Sequence, residues 1–573
     1  MQGIDPLSLE NKLIFGIGPL TGTSAPSSSR YILHTKSPQT GLYMSSLAGG
    51  YFGPELRKTG FEMVIIEGKA ESPVYLSISD EKAEIKDAST IWGMDTQDTQ
   101  QFIKSELHDD KVRIACIGPA GENQVCYAAI ISERRAAGRA GGGAVMGSKN
   151  LKAIAVKGTR KAPIRDPEAF MIAVKQAYKE IAANEVVSKG FPLYGTLMAM
   201  PALNEGGITP WRNWQHGGSD KAGHLFMQNW RDKYVKKDVI CSPPCNLKCS
   251  KWVVSSEGPH VGVLTEGPDY ETEYSFGSCC DIADQTAVIE ADDLCDKLGL
   301  DSISAGVTIA FAMECYEKGI LTPNDTDGDE VQFGRSDLLP KLIHKIAYRR
   351  GFGELLSLSS KRMSEKLGRG SDAFTMHAKG LEIGGYDPRG ARSLALIYAC
   401  GSRGGCHKSG GAANGQSLKE LATGDDRFLN KGKAAITRFF RNNRVISDSA
   451  IICAFAFGSL SQVTILAMLN AATGFHWDKD DLELFWERGN QIERAFNVRE
   501  GLRREWDTLP KRILKESVKS GSTLGQTVDL DELLDDFYEL SGWDLKTGIP
   551  TLNALRKLGL HTIAEDMEEY HQK

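Results

Sequence analysis

Three cysteines stand in one nine-residue run, CSPPCNLKC, at positions 241, 245 and 249. The N-terminal MQGIDPLSLENK has neither the basic start nor the apolar core of an export signal, so a reducing, cytoplasmic setting is expected. There, clustered thiols more often bind metal than form disulfides. Four readings are open: core residues, a disulfide remnant, a zinc site, or three corners of an iron–sulfur cluster. Zinc sites usually draw paired thiols from two knuckles, and only one compact group is present. A cubane takes a tight run plus one remote thiol, because one loop reaches three corners and the fourth must come from elsewhere. Pro243 and Pro244 favour a loop over a helix, which suits a cluster cradle. Three structural cysteines are the bland alternative.

A second chemical feature is ISERRAAGRAGGGAVMGSKNLKAIAVKG, residues 131–158, with Arg134, Arg135 and Arg139 beside a glycine run. Guanidinium groups and backbone N–H donors together suit phosphate oxygens. It is not a dinucleotide fingerprint: the glycines precede a strand, and no acidic residue follows at the ribose position. A tight turn carrying surface arginines fits nearly as well. Two acidic motifs, DKLGLD (Asp296 to Asp301) and DSAIIC (Asp448 to Cys453), share a frame in which Asp is followed five residues later by a ligand-type residue. Each could also be only a capped helix end.

The elements that must position these residues change character along the chain. Up to about residue 160, short apolar runs such as NKLIFGIGPL, FEMVIIEGKA and VRIACIGPAG are separated by Gly, Pro and Ser turns and read as strands. After Asp166-Pro167 the period becomes helical, beginning with an N-cap Asp and a first-turn Pro. An α+β fold is therefore expected: a β-sheet domain over 1–160, then two mainly helical parts, 161–380 with the cysteine triplet and 381–573. At 573 residues the chain exceeds one ordinary core. The uncharged run from Ile451 to Ala472 is long enough for a bilayer but is broken by Gly, Ser, Gln and Thr. It reads as a buried helix or helix pair, with no membrane partner. Net charge is −6, from 68 basic and 74 acidic residues, which argues against nucleic-acid binding. Glycine is high, 60 residues, implying sharp turns or close approach to a ligand.

PLSLENKLIFGIGPLTGTSAP, SLAGGYFGPELRKTGFEMVIIEGKAESPVY, IGPAGEN, RRAAGRAGGGAVMGSKNLKAIAVKG, TEGPDYETEYSFG, CDKLGLDSIS and SRGGCH together resemble the tungsten-containing aldehyde ferredoxin oxidoreductase family. The similarity runs in collinear order over nearly the whole chain. It implies an N-terminal β domain holding tungsten (or molybdenum) between two molybdopterins, a nearby [4Fe–4S] cluster, and two helical domains. The reaction implied is oxidation of a small-molecule aldehyde, with electrons passed to ferredoxin or an electron-transfer subunit, in a homodimer or hetero-oligomer.

Carried over by position, the resemblance puts the cluster on Cys241, Cys245, Cys249 and Cys453. It puts pterin-phosphate contacts on Arg30, Gly49, Arg135, Ala136, Gly138 and Arg139, and a backbone carbonyl for a bridging Mg2+ on Leu47. The pterin rings fall to Asp296, Leu300, Asp301, Asp448 and Ile452, and the pair closest to the metal to Glu271 and His407. On their own, His407 would be a core histidine and Glu271 a surface carboxylate. Three departures accompany the match. Cys241 and Cys245 are separated by three residues where the family commonly has two. Ile451-Ile452 replaces Gly-Leu, and Glu290 is followed by Asp293 where a dimer-bridging iron would need His. The chain also starts inside the family pattern, so the pterin domain is expected to be incomplete or the start misassigned. Two further readings stay open. One is a tungsten-dependent aryl-CoA dearomatising reductase using a protein thiol from Cys279, Cys280 or Cys406. The other is an electron-transfer or scaffold subunit with an empty pterin site.

Overall fold

The computed structural model of the protein describes residues 2–572. Its strands lie mostly in the first third of the chain, and helices dominate after it, an α+β arrangement. One antiparallel sheet is formed by β1 (Leu13–Gly16), β2 (Tyr31–Lys36), β3 (Tyr43–Ala48) and β4 (Met63–Ile66), in the order β3-β2-β1-β4. A six-stranded sheet contains β5 (Val74–Ser79), β6 (Lys82–Asp87), β7 (Arg113–Cys116), β8 (Ile130–Ser132), β9 (Arg135–Ala137) and β10 (Leu151–Lys157). Its order is β6-β5-β10-β7-β8-β9, with only β5 and β10 parallel. Leu13, Phe15, Leu33, Ile130 and Val156 fill one core between the two sheets. Edge strands β3 and β9 pack against each other.

Short strands β11 (Pro210–Trp211) and β12 (His216–Gly217) precede a three-stranded sheet of β13 (Val235–Val239), β14 (Ser250–Val254) and β15 (Leu264–Thr265). The expected helix after Asp166 spans Pro167–Ala183. The Asp166 side chain accepts from the Ala169 N–H at 3.0 Å, satisfying a donor that the first turn leaves open. Phe170, Ala173, Val174, Ala177 and Ile181 form its buried face, at helical spacing. That face meets the helix Gln462–Thr473. The uncharged run from Ile451 thus becomes a helix pair, Ala454–Phe457 and Gln462–Thr473, parted at Gly458–Ser461. No helix is long and apolar enough to cross a membrane among the described residues.

The largest core surrounds the helix Ser302–Glu317, where thirteen of sixteen residues are buried. SAGVTIAFAMEC has no polar stripe, so every face must be covered, and burying each large apolar side chain contributes about 1.5–3 kcal/mol. Gly306 lets it approach the π-helical turn Glu273–Ser278, since a Cβ there would meet the Ser275 carbonyl carbon at 2.6 Å.

Candidate functional site

β13 and β14 form an antiparallel hairpin with Val239 opposite Ser250, and the run CSPPCNLKC is its connection. Cys241 and Cys249 therefore emerge from adjacent strand ends. Between them the Cys245 N–H donates to the Ser242 carbonyl at 2.9 Å, and Lys248 takes a left-handed conformation (φ 47°). Cys453 arrives from the other side, just past the helix Lys433–Ala450. Ser27 holds the two segments together: its N–H donates to the Pro244 carbonyl at 2.9 Å, and its carbonyl accepts from the Cys453 N–H at 3.0 Å. Arg30 lies among the thiols and donates from Nη2 to the Cys453 sulfur at 3.3 Å.

The electrostatics follow from this packing. The proximity of Cys453, and then of Cys241 and Cys249, outweighs burial and raises the Arg30 pKa. Cys241 donates its thiol proton to Cys245, which lowers Cys245 to about 5 and raises Cys241. Burial pushes Cys249 up to about 11. Four thiols from two remote segments thus gather beside a half-buried guanidinium, and Cys245 among them is shifted toward the thiolate. All twelve cysteines are free, so the disulfide reading fails. Among the described residues no three His, Cys, Asp or Glu side chains are placed to hold a single metal ion. A cubane binds its thiols around a cage and does not require them to meet at one atom.

The residues expected at pterin phosphates lie along the facing edge strands. Arg30 precedes β2; Leu47 is on β3, opposite Ile32; Gly49 follows β3; Arg135 and Ala136 are on β9. A Cβ on Gly49 would meet the Cys241 sulfur at 3.2 Å and Arg135 Cδ at 3.4 Å, so residues expected at the phosphates and at the cluster are immediate neighbours. At Gly138 a Cβ would meet only Ala136 Cβ, at 3.5 Å, and Ala136 is exposed: this is a cradle with space over it. Arg139 is 6% exposed, donates to Asp301 Oδ2 (3.2 Å) and the Glu382 carbonyl (2.7 Å), and keeps Nη1 unpartnered. Arg135 pairs with Glu266. Arg134, from the same run, turns away to Asp293 (2.7 Å) and Gln97 (2.9 Å).

The acidic motifs are helix ends, as their capping pattern allowed, and also something more. Gly299 closes the helix Gln285–Leu298, and Asp301 caps the next helix by accepting from the Ile303 N–H at 3.1 Å. Leu300 bridges to Ala128, tying this corner to the chain just before β8. Burial and the charge of Asp292 raise the pKa of Asp296 well above the carboxylate range. Asp448 is raised by burial despite Arg444, whose Nη1 is 3.3 Å away. Ile451 takes φ 60° at the C-cap, a conformation that glycine adopts more readily, and Ile452 is 1% exposed. Glu290 is paired with His260, and Asp293 with Arg134 and Lys297, so both carboxylates are engaged within the chain.

Glu271 and His407 meet. Asp269 caps the turn Tyr270–Thr272 by accepting from the Thr272 N–H at 3.1 Å, which aims Glu271 inward. Oε2 accepts from the Gly385 N–H at 3.0 Å; Oε1 lies 3.1 Å from His407 Nδ1, and neither of those two atoms completes a hydrogen bond. Gly384 is needed for the encounter, because a Cβ there would meet Glu271 Oε1 at 2.8 Å and His407 Cβ at 3.0 Å. Burial raises the Glu271 pKa, with His407 and the Gly385 N–H opposing. Tyr386 stacks on Tyr270 (centroids 4.7 Å) and flanks His407 (6.2 Å). Cys406 accepts from Arg403 Nη2 at 2.7 Å. Cys279 and Cys280 lie wholly within the largest core. Ser27, Arg403 and Tyr386 were not singled out by sequence. Arg403 sits inside SRGGCH, whereas nothing local marks Ser27. A surface cleft of about 350 Å³, lined by Arg57, Lys58, Arg160, Lys161 and Phe170 among others, includes none of these site residues.

Comparison with known proteins identifies the family. Residues 1–158 match the model of the aldehyde ferredoxin oxidoreductase N-terminal domain, and residues 172–560 that of its domains 2 and 3. The chain is 42% identical over 561 residues to the tungsten-containing aldehyde ferredoxin oxidoreductase of Pyrococcus furiosus, covering 97% of this chain and 91% of that one. It is 41% identical to the protein of the same name from Thermococcus kodakarensis, with the same coverage. Among solved structures, the active-site complex BamBC of benzoyl coenzyme A reductase with 1,5-dienoyl-CoA matches with a TM-score of 0.83 at 27% identity, over 100% of this chain and 92% of that one. The chain belongs to the aldehyde ferredoxin oxidoreductase family.

Proposed function

We propose that the protein oxidises aldehydes to carboxylic acids at a tungsten (or molybdenum) bis-molybdopterin site and passes the electrons through a [4Fe–4S] cluster to ferredoxin. The carrying observation is the convergence of Cys241, Cys245 and Cys249 with Cys453 beside Arg30, next to Gly49 after β3 and Arg135 on β9. Cys241, Cys245, Cys249 and Cys453 would hold the cluster. Arg30, Gly49, Arg135, Ala136, Gly138 and Arg139 would hold the pterin phosphates, with the Leu47 carbonyl on a bridging Mg2+. Asp296, Leu300, Asp301, Asp448 and Ile452 would hold the rings. The unpartnered Nη1 of buried Arg139 and the open space over Gly138 fit such a group. When bound, the pterin metal supplies two-electron oxidation, and the cluster releases those electrons singly.

The chain's own residues handle substrate and protons. Aldehyde and water give carboxylic acid, two electrons and two protons, so a proton acceptor beside the carbonyl is required. Glu271 Oε1, unpartnered and held by the Gly385 N–H at its other oxygen, can take a proton from attacking water. His407 Nδ1, 3.1 Å away, is placed to receive it or to donate to the carbonyl oxygen. The Tyr270–Tyr386 stack supplies an apolar wall beside the pair. Metal and pterin analysis of anaerobically purified protein, followed by viologen-linked turnover of small aldehydes, tests this reading. Metal-replete protein that leaves aldehydes untouched would overturn it.

A further inference from the structure

The hairpin connection that carries the triplet is also the part of the cysteine set closest to solvent. Cys241 and Cys249 are half-buried, whereas Cys245 and Cys453 are buried. Lysines border it: Lys236 and Lys237 on β13 lead into it, and Lys248 lies within it, all exposed. None of the three has an ion pair among the described residues, although the chain as a whole is acidic. The nearby carboxylate Asp238 is already neutralised by Arg231 (2.8 Å) and Lys251 (3.3 Å). Exposed acids flank the surface as well: Asp232 on the helix before β13, and Glu185 beside Val186, which is paired with Lys189 at 2.6 Å.

An apolar shelf adjoins the lysines. Val186 and Leu193 are 52% and 47% exposed, on a segment clamped to the hairpin from two directions. Arg231 donates to the Leu193 carbonyl at 2.6 Å, and buried Lys251 reaches the carbonyls of Phe191 (3.4 Å) and Lys248 (2.8 Å). Gly195 packs so closely on the Cys249 carbonyl that a Cβ would stand 2.6 Å from it. Exposed apolar residues rimmed by unpaired cations on a rigid support form an interface pattern, and the charge steers an oppositely charged partner.

We propose that Lys236, Lys237 and Lys248, with Val186 and Leu193, form the docking surface for a small acidic iron–sulfur carrier of the ferredoxin class. The inference rests on the function proposed above, because only a cluster on these thiols gives the surface an electron to deliver. Charge complementarity selects the occupant: a basic rim in an acidic protein orients an acidic partner with its own centre over the loop. The electron leaves through the hairpin side, past half-buried Cys249 and the adjoining Lys248, one electron reducing one carrier.

The test uses the holoenzyme and a variant carrying Lys236→Glu and Lys237→Glu, both outside the cysteine loop. Binding of a negatively charged [4Fe–4S] ferredoxin is measured by titration calorimetry at low and high salt, and aldehyde oxidation is followed with methyl viologen and with that ferredoxin. The expected result is unchanged viologen turnover, at least tenfold weaker ferredoxin binding, and a flatter salt dependence. Wild-type affinity and salt dependence in the variant would overturn the docking surface, as would wild-type ferredoxin binding that salt does not affect. Loss of viologen activity in the wild type, with salt-sensitive binding intact, would instead overturn the proposed reaction and leave the surface standing.

Discussion

Arg30 places its Nη2 3.3 Å from the sulfur of Cys453, so the residue expected at a pterin phosphate also donates to the proposed fourth cluster ligand. A half-buried cation there stabilises negative charge on the sulfurs, and charge-assisted hydrogen bonds are stronger than neutral ones. Arg30→Met should therefore make the cluster harder to reduce, shifting its potential negative by about 60 mV for each tenfold change in the one-electron equilibrium. A redox titration followed by electron paramagnetic resonance measures this. A potential equal to the wild type's would place Arg30 outside the cluster's field.

Cys453→Ala tests the fourth ligand. With Cys241, Cys245 and Cys249 intact on their hairpin, the variant should retain iron but show a three-iron spectrum, or lose the reduced-cluster signal. An unaltered cubane spectrum would assign the fourth corner elsewhere.

Arg135 and Arg139 should separate. Arg135 pairs with Glu266, both side chains being partly accessible. Arg135→Ala should lower tungsten and pterin content with little loss of thermal stability. Arg139 braces buried Asp301 and the Glu382 carbonyl, so Arg139→Ala leaves a buried charge without its partner and should destabilise by about 3–5 kcal/mol. Metal analysis beside thermal unfolding distinguishes the two, and equal effects on both readouts would refute the division of roles.

Glu271→Gln and His407→Phe should keep metal and iron while aldehyde turnover with a viologen falls by about 10²–10⁴-fold, the usual scale for a positioned proton-transfer group. Full activity in both variants would return the pair to structural residues.

The pH dependence has a definite sign. Burial raises the Glu271 pKa above its ordinary 4.5, so the carboxylate base is lost as pH falls through that raised value, and kcat/KM should show an acidic limb there. Glu271→Gln should abolish the limb in its residual rate. A carboxyl whose folded pKa is raised contributes stability that is present at low pH and lost as pH rises through the folded value. The Gln variant should therefore be more stable than wild type at neutral pH, with the gain vanishing in acid. A pH-independent difference in unfolding free energy would show that Glu271 does not titrate with folding.

Local sequence carried much of this. The Asp166-Pro167 start, the strand-to-helix change and the helix pair after Ile451 are written in short-range pattern, because caps, proline geometry and periodicity act within a few residues. CSPPCNLKC by itself specified a loop of three thiols, and the family motifs nominated Cys453, Glu271 and His407. Other features existed only once the chain had folded. Ser27 became the tie between Pro244 and Cys453 because backbone hydrogen bonds carry no residue signature. Gly384 became the space in which Glu271 meets His407, 136 positions away in the chain. Arg139 acquired a brace in Asp301, and Arg134, identical in type and five residues away, was drawn off by Asp293. Residue type sets what a side chain can do; which partner reaches it first, and how much water is left around it, is decided by packing between segments that the sequence keeps far apart.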